Sequence, residues 1–175
     1  MNRSLSGFIL PLSLTLFAIG GVACDSHDDH DHKEVEDHFA EAVTDACTHL
    51  KNGPAKAHTL TKDATGAPDM TVEHHRLDLT FVDVGSGQGG VGTWKSGEET
   101  DYVLLMSADV PVKITDASGA EVTPEESLKT PSACPEAAIA HKVELPVGTY
   151  TLTFGPSTDT GVKAVVSEVG GEHDH

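Results

Sequence analysis

Eleven histidines stand in a chain of 175 residues that carries a formal charge of −17. Imidazole and carboxylate together form the donor set of Zn2+, and they also suit Cu2+, Ni2+ and Co2+. Two groups of histidines sit at the ends of the chain. His27, His30 and His32 lie among Asp25, Asp28, Asp29 and Asp31, and His173 and His175 flank Asp174. Several three- and four-ligand sets can be drawn from such runs without a fixed geometry. Each loading must order the chain, which lowers affinity, and preference among metals would follow the Irving–Williams trend. Such a segment buffers or collects an ion and does not select it. The alternative is an acidic spacer in which the histidines are incidental.

A third group lies in the body of the chain. His38, Glu41, Asp45 and His49 are spaced three, four and four, which aligns them along one stripe of a helix where neighbouring side chains can share an ion. Most charged stripes are solvated helix faces, and that reading stays open. His141 shares strand parity with Ile139, Val143 and Leu145, and His75 with Leu77, Leu79 and Phe81, so both are expected to face the core near the starts of their strands. A cluster of His49, His141 and either His74 or His75 at the rim of the fold is the sharper expectation. The plainer one is that each histidine is hydrogen-bonded separately.

The elements that must carry these residues follow from periodicity. From Glu34 to Leu50 the apolar residues Val35, Phe39, Ala42, Val43, Ala46 and Leu50 recur at steps of three and four, which predicts an amphipathic helix ended by Asn52-Gly53-Pro54. Residues 55–73 show neither period and are expected to be a loop or a weak edge strand. Alternation then takes over at Leu77–Phe81, and further strands are expected at Gly92–Lys95, Tyr102–Ser107, Val112–Thr115, Glu121–Thr123, Ile139–Leu145, Tyr150–Phe154 and Val162–Val169. Val143 to Phe154 is expected to be a hairpin, and the glycine cluster from Gly85 a hairpin loop.

The fold expected is therefore mainly β, an antiparallel β-sandwich with one N-terminal α-helix and disordered His/Asp-rich tails. Val143–Phe154 and Val112–Gly119 resemble hairpins of the sandwich domains of the bacterial pre-peptidase C-terminal type, over about forty residues.

The leader explains where such a chain would work. Arg3 precedes an uncharged apolar run through Phe8, Leu10, Leu16 and Ile19, about fifteen residues long and short of the roughly twenty that span a bilayer. It reads as a signal peptide. Gly21-Val22-Ala23-Cys24 resembles the bacterial lipobox, which implies lipidation of Cys24 and a membrane anchor, with ordinary cleavage after Ala23 as the alternative. The organisation expected is a signal peptide over 1–23, a tether over 24–33, one domain over 34–170 and a tail over 171–175. Three cysteines are an awkward number in an oxidising compartment. With Cys24 lipidated, Cys47 and Cys134 remain to form one disulfide, soft metal ligation being their other use.

Charge and missing motifs narrow the function. A surface this anionic repels nucleic acid and attracts cations. There is no G-x-S-x-G elbow and no H-E-x-x-H motif, and Gly85–Gly90 precedes a strand-like run, so no helix N-terminus follows to hold a phosphate. An enzyme is not expected. The His- and Asp-rich tether is similar in composition to loops of periplasmic zinc-uptake binding proteins, which implies zinc handling. The expectation is an envelope lipoprotein that binds Zn2+, or Cu2+ or Ni2+, for buffering, storage or delivery to a metal-transport or other envelope protein. The alternative is a structural or protein-interaction sandwich at the cell surface.

Overall fold

The computed structural model describes residues 38–72 and 74–170. Cys24, the tether residues His27, His30 and His32, and the tail residues His173 and His175 lie outside the described residues, as do positions 34–37 of the expected helix. Among the described residues no helix is long and apolar enough to cross a membrane.

Helix α1 spans His38–Asn52 and buries Phe39, Ala42, Val43, Ala46, Cys47 and Leu50, the stripe expected from the 3.6-residue period. Its end is set locally. The Gly53 N–H donates to the His49 carbonyl at 2.8 Å. A Cβ at position 53 would stand 2.6 Å from that same oxygen, so a larger residue would push the last turn apart. Pro54 then prevents continuation.

Eleven strands follow: β1 (Ala55–Thr59), β2 (Arg76–Thr80), β3 (Val82–Asp83), β4 (Gln88–Ser96), β5 (Thr100–Met106), β6 (Val112–Thr115), β7 (Glu121–Val122), β8 (Glu126–Lys129), β9 (Ile139–Leu145), β10 (Gly148–Ser157) and β11 (Gly161–Glu168). They form a six-stranded sheet in the order β1-β2-β11-β5-β9-β8 and a five-stranded sheet in the order β3-β4-β10-β6-β7. The β1–β2 pair is parallel. The pairs around it in the six-stranded sheet, and those of the second sheet, are antiparallel.

Two apolar layers result. Between the sheets, Leu77, Leu79, Tyr102, Leu104, Met106 and Val143 of the larger sheet meet Trp94, Ile114, Tyr150, Leu152 and Phe154 of the smaller one. On the outer face of the larger sheet, Val43, Ala46 and Leu50 of α1 pack on Val103, Leu105, Ala140 and Val165. Strand β5 is therefore buried on both faces, and this is why Tyr102 to Met106 reads as an unbroken apolar run and not as an alternation.

The structure corrects one expected pairing. Val143–Phe154 is not a hairpin: β9 pairs with β5 and β8 in one sheet, while β10 pairs with β4 and β6 in the other. The chain crosses the sandwich at Pro146-Val147. Val143 and Leu145 thus oppose Tyr150, Leu152 and Phe154 across the core, and a hairpin would show the same alternation. The glycine loop behaves as expected, with Val82 opposite Gly89, Asp83 opposite Gln88 and the Val84 N–H bonded to the Gly87 carbonyl. Within 55–73 the chain forms β1, an edge strand exposed at most positions. Strand β8 was not foreseen, since all four of its residues are exposed and it has no apolar side to announce it.

Candidate metal centre

The stripe on α1 divides into two pairs. His38 Nδ1 lies 3.7 Å from Glu41 Oε2 on the exposed first turn, and His49 Nε2 lies 3.7 Å from Asp45 Oδ2 two turns later. The second pair differs because the sheet lies beside it. Only 20% of the His49 side chain and 34% of the Asp45 side chain are exposed. Ser167, on β11, places its Oγ 3.4 Å from the same Asp45 oxygen.

The other half of the cluster comes from the segment before β2. His74 Nδ1 lies 3.4 Å from His49 Nε2, with ring centroids 5.1 Å apart and planes tilted by 49°. His74 holds φ at 54°, a left-handed conformation uncommon outside glycine. It is exposed, and neighbouring His75 is half-buried. Of the two histidines offered by the sequence, His74 is the one that meets His49.

His141 does not join them. It sits opposite Leu104 and Ser127 in the sheet register, and Leu104 faces the sandwich interior. The helix packs on Ala140, Val103 and Leu105, which point the other way. His49 and His141 are thus on opposite faces of one sheet. The disulfide brings the helix to the sheet but cannot bring it through. His141 instead places Nδ1 2.7 Å from Ser127 Oγ. Burial lowers its pKa, while Asp109 pulls the value back up.

Cys47 and Cys134 form the disulfide, with Cα atoms 5.5 Å apart across a sequence separation of 87. Glu136 Oε2 lies 3.8 and 3.9 Å from the two sulfurs and 2.9 Å from Lys51 Nζ, a pairing that holds the Glu136 carboxyl below its ordinary range. These two cysteines with Glu136 are the group of three ligand-type residues whose donor atoms all fall within 4.8 Å of one another among the described residues. With both sulfurs committed to each other, that group is a covalent brace and not a metal site. It anchors the helix two residues before His49.

Sequence reasoning missed two groups. Ser167 stands on a strand whose apolar residues drew attention, and nothing in its spacing connects it to Asp45, 122 residues away. His58 on β1 buries its Nε2 without a hydrogen-bond partner, and burial lowers its pKa. The signal that would have found it, strand parity, is absent from a segment with no apolar alternation.

No protein-family model matches this chain, and no curated protein matches it either.

Proposed function

We propose that this chain is an exported lipoprotein, anchored through Cys24 in the cell envelope, that binds divalent transition-metal ions, zinc foremost, for buffering, storage or delivery. One observation carries the reading: Nε2 of His49 lies 3.4 Å from Nδ1 of His74 and 3.7 Å from Oδ2 of Asp45. Imidazole nitrogen with carboxylate oxygen is the donor chemistry of zinc. The His- and Asp-rich ends of the chain add donors of lower affinity, and the net charge of −17 draws cations toward all of them.

The test is metal analysis of the full chain purified without a histidine tag, followed by equilibrium dialysis with zinc, copper and nickel at neutral pH. Bound zinc, or uptake with micromolar or tighter affinity, is expected. A chain that is purified empty and takes up none of the three ions ends the metal reading, and a sandwich that binds other proteins replaces it.

A further inference from the structure

We infer that Cys47, Cys134 and Glu136 form a redox-gated metal site: once a dithiol reductant opens the disulfide, the two thiolates and the carboxylate take up one Zn2+ or a softer divalent ion such as Cd2+. The site uses no histidine, so it goes beyond the reading above and stands or falls apart from it.

Distances come first. Zinc bonds of about 2.3 Å to sulfur and about 2.0–2.2 Å to oxygen set the sulfur–oxygen edge of a tetrahedron at roughly 3.5–3.7 Å. Glu136 Oε2 lies 3.8 Å from the Cys47 sulfur and 3.9 Å from the Cys134 sulfur, close to that edge on both sides at once. All three donor atoms fall within 4.8 Å of one another. Only the sulfurs have to move. A tetrahedral sulfur–sulfur edge of roughly 3.8 Å is compatible with Cα atoms 5.5 Å apart after side-chain rotation.

The chemistry of the pair supplies the gate. While the sulfurs are bonded to each other they have no S–H to offer Glu136. Thiol–disulfide exchange with a dithiol breaks the S–S bond, passes two electrons and two protons to Cys47 and Cys134, and leaves the reductant as a disulfide. A divalent ion then displaces both thiol protons to solvent, with no further oxidation or reduction. Two thiolates and one carboxylate exceed the charge of that ion by one unit. Lys51, whose Nζ is 2.9 Å from Glu136 Oε2, carries the balancing charge, and the carboxylate has a second oxygen for it when Oε2 turns to the ion.

Burial gives the site its strength and its entrance. Cys47 and Cys134 are 3% and 0% exposed, which strengthens the hold of their thiolates on a cation, whereas Glu136 is exposed and forms the open side. Two sulfurs favour Zn2+ and softer ions over Mg2+ and Ca2+, which require oxygen-rich shells. Cys47 belongs to α1 and Cys134 to the segment between β8 and β9, so the ion would take over from the S–S bond as the tie between helix and sheet. In an oxidising compartment the disulfide is the resting form, and the metal form arises where a dithiol reaches the chain.

The test uses the full chain carrying Cys24→Ser, so that Cys47 and Cys134 supply its only thiols. The chain is reduced with a dithiol in urea, refolded by dilution without oxygen, freed of dithiol by gel filtration, and its thiols are counted before titration with Co2+ and Zn2+. One ion per reduced chain is expected to give the near-ultraviolet sulfur-to-cobalt charge-transfer band, which imidazole and carboxylate ligands do not produce. The oxidised chain, and the chain with Cys47→Ser and Cys134→Ser, should lack that band. Glu136→Gln should keep it and weaken Zn2+ binding by about tenfold or more. Zn2+ should also raise the melting temperature of the reduced chain more than that of the double serine variant, and a reduced chain that is unfolded without metal should fold when Zn2+ is added. A reduced chain with both thiols counted and no charge-transfer band overturns the site, whether or not that chain is folded. A band accompanied by unchanged Zn2+ affinity in Glu136→Gln overturns the three-ligand assignment.

Discussion

His49 and His74 meet at 3.4 Å across 25 residues of sequence, and His74 takes a left-handed backbone conformation at the meeting point. Such a conformation costs a non-glycine residue on the order of 1 kcal/mol, and that cost persists only where the surroundings impose it. In the absence of metal, His74→Gly should therefore leave stability unchanged or raise it by up to about 1 kcal/mol, while zinc affinity falls at least tenfold. Urea denaturation in chelator and competitive zinc titration measure the two effects. Clear destabilisation of the metal-free protein would show that the ring is held there for packing.

The disulfide should be the largest single contribution to stability. Closing a loop over a separation of 87 residues stabilises by roughly 4–5 kcal/mol on chain-entropy grounds. Cys47→Ser with Cys134→Ser, or treatment with a phosphine reductant, should lower the unfolding free energy by about that amount and loosen α1 from the sheet. Zinc affinity should fall with it, because Asp45 and His49 ride on the same helix. A shift under about 1 kcal/mol in chemical denaturation would contradict this account.

Acid sensitivity should have two limbs with different origins. The pKa of His58 is lowered, chiefly by burial and next by Lys56, so as pH falls through the ordinary imidazole value of 6.5 the unfolded chain takes up the proton first. Stability is thus intact above that value and declines as pH falls toward the folded-state pKa. Asp69 is held down to about 2 by hydrogen bonds from Lys95 and Thr71, so its contribution is present above its ordinary 3.8 and is lost as pH falls toward about 2. His58→Leu should flatten the upper limb and raise stability at neutral pH by up to about 1 kcal/mol, since the buried Nε2 is unsatisfied. Asp69→Asn should flatten only the lower limb. Parallel slopes in wild type and both variants, followed by denaturation from pH 8 to pH 2, would sink the assignment.

Gly161 opens β11 opposite Thr80, where a Cβ would run into the Leu79 carbonyl oxygen. That obstacle is backbone and cannot swing away. Gly161→Ala should cost about 1–3 kcal/mol and raise amide exchange along the β2–β11 pair. A melting temperature equal to that of the wild type would refute the close approach.

Much of the fold was legible in the sequence. Val43, Ala46 and Leu50 identified the buried face of α1, and Leu152 and Phe154 the buried face of β10, because each pattern reports one side facing away from water. The pairing of β9 with β5 and β8, and of β10 with β4 and β6, was not legible. Of the expected rim cluster, His49 and His74 were brought together while His141 was turned to the other face of the sheet. Its parity with Ile139 and Val143 was read correctly, but parity gives no information on which face the helix would cover.

The sequence by itself determined the helix, the predominance of strands and the availability of three cysteines and many metal-type donors, since these depend on local period and composition. Tertiary structure alone decided that α1 lies outside the larger sheet, that β9 and β10 belong to different sheets, and that Ser167 stands beside Asp45. The physical reason is that burial is degenerate: an apolar side gains nearly the same free energy against any dry surface, whereas the meeting of two polar side chains depends on which surface was chosen.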